Sequence, residues 1–156
     1  MKIIDRLPIY EGPSLIDVGG EIIQAHRNQI IVWVSLALKP FPAILDTGHS
    51  HNFSIARRHL ERWGGAELPR IGQSRVGGNL VPQCAAELKL HRNRPGRREL
   101  RDAYPLKMDG GIAVIPDDLP IAPRLPLLGI KAIIGNKLRM ILDGRRKNVT
   151  LKPRWF

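Results

Sequence analysis

The sequence predicts a single all-β domain of about nine or ten short strands with one or two short helices. Three observations predict it. Short apolar, β-branched runs recur along the chain. Paired glycines, Gly19-Gly20 and Gly77-Gly78, fall between such runs, where hairpins turn. Later segments alternate apolar and polar residues with period two, as in Leu88-Lys89-Leu90-His91 and Asn148 to Lys152. The 156 residues suit one domain spanning 1–156, and no repeat or linker divides them.

The elements follow in order. Ser14 to Gln24 is a hairpin about Gly19-Gly20. Gln29 to Leu38 has the apolar, β-branched content of a buried strand, which Pro40 and Pro42 end. Ala43-Ile44-Leu45 is a short apolar run that delivers Asp46 at its end. Ser54 is a candidate cap for a helix starting at Ile55, with Leu60 and Trp63 on its apolar side and Gly64-Gly65 as its stop. Ile71 to His91 suggests two strands about a Gly77-Gly78-Asn79 turn. His91 to Asp102 is a basic excursion, expected as a mobile loop. Tyr104 to Met108 and Gly111 to Ile115 are further strands, followed by a Pro116-Asp117-Asp118 turn. Leu138 to Leu142 and Asn148 to Leu151 form a closing hairpin.

Composition narrows the function classes. Lys and Arg outnumber Asp and Glu by 25 to 14, a net charge of +11, which favours acidic partners. The excess sits in HRNRPGRRELR, starting at His91, and in GRRK, starting at Gly144. Neither tract is interleaved with aromatics, so solvated loops are favoured over base stacking, and a nucleic-acid contact is the sharper alternative. The single cysteine, Cys84, excludes an internal disulfide and a cysteine-rich zinc site, and reads as a small apolar filler. No apolar stretch is long enough to span a bilayer, and the first residues lack the order of a secretory signal. A soluble, cytoplasmic protein with no membrane contact is therefore expected.

Three motifs occur in a telling order: Asp46-Thr47-Gly48 after an apolar run, the glycine-tipped segment Arg75-Val76-Gly77-Gly78-Asn79, and Leu127-Leu128-Gly129 late in the chain. The order resembles the retropepsin-like aspartic proteases, the single-domain group typified by retroviral proteases. The similarity covers roughly Gln29 to Leu151. The closing stretch LPLLGIKAIIGNKLRMILDGRRKNVTL is most like the cellular and retrotransposon branch.

The resemblance implies a closed barrel with a flap hairpin, working as a homodimer on a peptide or protein substrate, with no metal and no cofactor. Asp46 of each subunit would supply one of two catalytic carboxyls. Thr47 would brace the two loops across the dimer axis, and Gly48 would allow close approach of the backbone. Arg75, Val76, Gly77, Gly78 and Asn79 would form the tip of a flap over an extended peptide. Leu127-Leu128-Gly129 would pack behind the catalytic loop. Two like charges so close cannot both ionise cheaply, so the pair would titrate as a unit. The ionised carboxyl would draw a proton from a shared water, which attacks the peptide carbonyl.

One position departs from the family pattern. His49 stands where a small residue usually follows the glycine, with Ser50 and His51 after it. A charged His49 would favour ionised carboxyls and lower the working pH, whereas a neutral ring would restrict the cleft. His49-Ser50-His51 also resembles the start of the H-x-H-x-D-H pattern of metallo-β-lactamase-like hydrolases. The later positions are Phe53 and Ser54, so that pattern does not continue. The alternative to an active endopeptidase is a weak or inactive protease-like module for dimerisation or peptide binding, contacting nucleic acid through its basic loops.

Overall fold

The computed structural model describes residues 2–65, 67–92 and 103–154. Among them are fourteen strands and little helix, so the all-β expectation holds, with more strands than the sequence suggested. The chain begins with β1 (Ile4–Pro8) and the β2–β3 hairpin (Ser14–Val18, Glu21–Ala25). Strands β4 (Ile31–Ser35), β5 (Phe41–Asp46) and β6 (Phe53–Ala56) follow. A helical segment opens as α1 (Arg57–His59) and widens into a π turn over Leu60–Gly64. Next come β7 (Arg70–Val76), β8 (Asn79–Cys84), β9 (Leu88–His91), β10 (Ala103–Leu106) and β11 (Ile112–Ile115). The last elements are β12 (Leu127–Gly129), α2 (Ile130–Gly135), β13 (Leu138–Asp143) and β14 (Asn148–Pro153).

Nine strands form one sheet in the order β10-β9-β4-β5-β12-β6-β11-β8-β7. The pairs β5–β12 and β6–β11 are parallel and the others antiparallel. A second sheet has the order β1-β14-β13, and β2–β3 stands as its own hairpin. The core gathers Ile31, Val34, Phe41, Leu45, Phe53, Ile55, Leu88, Leu90, Ile112, Leu128 and Leu151, all nearly or fully buried. With few aromatics, branched aliphatics fill most of that volume, as composition required. Among the described residues no helix is long and apolar enough to cross a membrane.

Among the described residues the expected closed barrel is not formed. β10 and β7 end the large sheet, each with one paired neighbour. Every residue of β7 from Arg70 to Gln73 is exposed, so it offers no apolar face on which to close. The terminal strands that could complete a wall pair with each other instead, in the β1–β14–β13 sheet.

Local corrections have equally plain causes. Pro42 lies inside β5, not beyond a strand end, and faces Trp33. β12 starts alongside Ile44, so at Pro42 the missing N–H leaves no ladder bond unmade on that side. Ser54 does not cap a helix. It sits in β6, where every residue from Phe53 to Ala56 is buried between β12 and β11. The helix starts at Arg57, and Ala56 precedes it without a side-chain cap. Gly65 does stop it, with φ of 62° and its N–H on the Leu60 carbonyl. The expected long second arm of the Ile71–His91 hairpin is broken into β8, beside β11, and β9, beside β4 and β10. His91 ends the alternating strand Leu88–His91 rather than opening a loop: it is buried in β9 and bonded to Ser35 Oγ at 2.8 Å. Residues 93–102 of the basic tract lie outside the described residues.

Candidate active site

The site is built where the chain crosses itself. β5 and β6 are consecutive strands, yet they are not neighbours: β12 enters between them, parallel to β5 and antiparallel to β6. The loop joining them, residues 47–52, must therefore pass over the end of β12. Gly129 N–H donates to the Asn52 carbonyl and Ile130 N–H to the His49 carbonyl, both at 2.9 Å. A Cβ on Gly129 would stand 1.9 Å from the His51 carbonyl oxygen, so only glycine fits beneath this loop. Leu127, Leu128 and Gly129 pair with Ile44, Leu45 and Asp46, which places them behind the loop as the sequence reading had it.

Asp46 is half-buried at the end of β5. Its Oδ1 accepts the Gly48 N–H at 2.9 Å, and its carbonyl accepts the His49 N–H at 3.1 Å. A Cβ on Gly48 would lie 3.3 Å from that Oδ1, closer than ordinary contact. Thr47 and Gly48 are exposed. Asp46 and Thr47 open on a cleft of about 480 Å³ lined also by Gln29, Ile30, Leu127, Met140 and Leu142. One wall of that cleft thus comes from β13, whose other edge has no partner strand among the described residues. A larger cleft, about 870 Å³, lies at the opposite end of β5 around Phe41, Trp33 and Trp63, away from Asp46.

The hairpin motif is where the sequence put it. Val76 and Asn79 pair across Gly77 (φ 54°) and Gly78 (φ 82°), a two-residue turn that needs both left-handed. Arg75 donates to the Gly78 carbonyl at 3.1 Å and Asn79 Nδ2 to the Gly77 carbonyl at 3.2 Å. The tip leans on Ile121: a Cβ on Gly77 would come within 2.9 Å of its Cγ2. The arm meets the Asp46 loop through Ser74 Oγ and His51 Nδ1, 3.3 Å apart.

His49 is half-buried, and its Nε2 shares a 2.7 Å hydrogen bond with Ser54 Oγ. Burial pushes its pKa below the ordinary histidine value, His51 adds to that, and Asp46 opposes it. The ring is thus neutral near pH 7. The His49 and His51 rings lie 5.1 Å apart. Among the described residues no three His, Cys, Asp or Glu side chains gather as a metal site would require.

Two contributors escaped the sequence reading. Asn52, buried, donates to the carbonyls of Asp109 and Gly111 at 2.8 and 3.2 Å and ties the loop to the turn before β11. Ser74 tethers the hairpin. Neither residue type stands out in a loop or an exposed strand, so no signal marked them.

No family model, no curated protein and no solved structure matches the chain.

Proposed function

We propose that the chain is a homodimeric aspartic endopeptidase of the retropepsin-like kind, with Asp46 of each subunit as its catalytic pair. The observation that carries the reading is the Asp46 loop clamped over Gly129, with the carboxyl opening on a cleft rather than into the core. One chain brings one such carboxyl, and the chemistry needs two. The β13 edge beside the same cleft, unpaired among the described residues and with Ile141 and Leu142 exposed, supports a second copy seated there.

In that dimer one carboxyl holds a proton and the other is ionised. The ionised group takes a proton from a water between them, and the oxygen attacks the peptide carbonyl. The protonated group stabilises the developing oxyanion and then feeds the leaving amine. Gly48 N–H holds one Asp46 oxygen, leaving the other for water and substrate. The β7–β8 hairpin would cover an extended peptide with Arg75 to Asn79 at its tip.

A second reading is a dimeric peptide-binding module without turnover. It is favoured by His49, which stands where the resembled family usually carries a small residue. Cleavage of a diverse peptide library between roughly pH 4 and 7 separates the two. Products that vanish in Asp46→Asn and with a pepstatin-like inhibitor support the enzyme; an intact dimer that cuts nothing supports the module.

A further inference from the structure

His49 and His51 lie three and five positions beyond Asp46, and the proposed hydrolysis uses neither. Each ring has one nitrogen engaged inside the protein, His49 Nε2 with Ser54 Oγ and His51 Nδ1 with Ser74 Oγ. The other nitrogens, His49 Nδ1 and His51 Nε2, have no partner among the described residues, and neither is sealed from solvent. When both serine hydroxyls donate inwards, both remaining nitrogens carry a proton. With the ring centres 5.1 Å apart, both rings are within reach of one carboxylate.

The surroundings have the matching sign apart from Asp46, whose Oδ1 is held by the Gly48 N–H. The loop 47–52 contains no Asp or Glu, nor does the hairpin 70–84, which carries Arg70 and Arg75. The whole chain carries +11. The Asp109 contact to this loop is through its carbonyl. Because Ser74 belongs to β7, the hairpin arm that would lie over a bound peptide also orients the His51 ring.

We infer that His49 and His51, on the loop that follows Asp46 and against the β7 arm, form an acid-recognising subsite that binds a Glu or Asp side chain of the peptide. This rests on the peptide-cleft reading above. A neutral residue of similar size gains no charge-assisted bond there, so the preference is a selectivity among peptides.

The test uses the full chain and a peptide set in which Glu, Gln or Leu occupies each position in turn. Binding to the Asp46→Asn chain is measured by fluorescence anisotropy, and cleavage by the native chain in parallel. The expected result is about tenfold tighter binding of one Glu peptide over its Leu counterpart, falling to near equality in His49→Leu/His51→Leu. Equal binding of Glu and Leu peptides at every position overturns the inference. So does a Glu preference that survives the double substitution. A native chain that cuts nothing, with the Glu preference intact, overturns the protease and leaves the subsite standing.

Discussion

Asp46 and Gly129 stand opposite each other on the parallel strands β5 and β12, at the one point where the 47–52 loop crosses the chain. The carboxyl is fixed because the strand beside it ends in a residue without a side chain. Gly129 is the tighter constraint of the two. Its missing Cβ is what lets the carbonyls of His49 and His51 close over it.

Gly129→Ala is therefore expected to cost the fold more than any single-methyl change at the surface. The added carbon meets backbone oxygen, which cannot rotate away as a side chain could. A loss of about 3 kcal/mol or more is expected, read by urea unfolding. A loss below about 1 kcal/mol would show that the loop can lift, and would remove the reason for Asp46 being held.

Asp46→Asn separates chemistry from structure. The amide oxygen can still accept the Gly48 N–H, so the loop keeps its bond. Thermal stability is expected to stay near that of the native chain, while peptide cleavage falls by about a thousandfold. Cleavage that persists at native rates would end the assignment of Asp46.

How far the sequence foretold this depends on the range of the interactions. The Gly77-Gly78 turn is local, and two adjacent glycines suffice to mark it. The placement of Leu127-Leu128-Gly129 beside Asp46 spans some eighty residues, and family resemblance pointed to it where periodicity could not. Ser54 shows the opposite outcome: a good helix-capping residue was taken by a strand paired on both edges. His91 belongs both to a period-two strand and to a charged run, and the strand wins: its ring finds Ser35 in the core. Open or closed sheet edges depend on how distant strands meet, and no local pattern encodes that.

Association is expected to run through β13. Leu142 is 57% exposed on an edge unpaired among the described residues, beside the Asp46 cleft, where a glutamate buried by association would lack a partner. Leu142→Glu should weaken the dimer at least about tenfold in sedimentation equilibrium. Activity should then depend on the square of chain concentration when dilute. A native chain that is monomeric and fully active would contradict both the interface and the shared pair.

Stability on the acid side is expected to be limited by His59. His59 is 1% exposed and stacked on Trp63 with ring centres 4.0 Å apart. Burial, reinforced by Arg58, pushes its pKa from 6.5 down to about 4. Between those values the unfolded chain binds the proton and the folded chain does not, so stability rises with pH through this window and falls as pH drops from 6.5 towards 4. Allowing for partial solvent screening, the loss is about 2 kcal/mol. His59→Phe keeps a ring against Trp63 and removes the titration. Its stability should be flatter than the native chain's across this window in guanidinium unfolding series. The same slope in both proteins would place the acid sensitivity elsewhere.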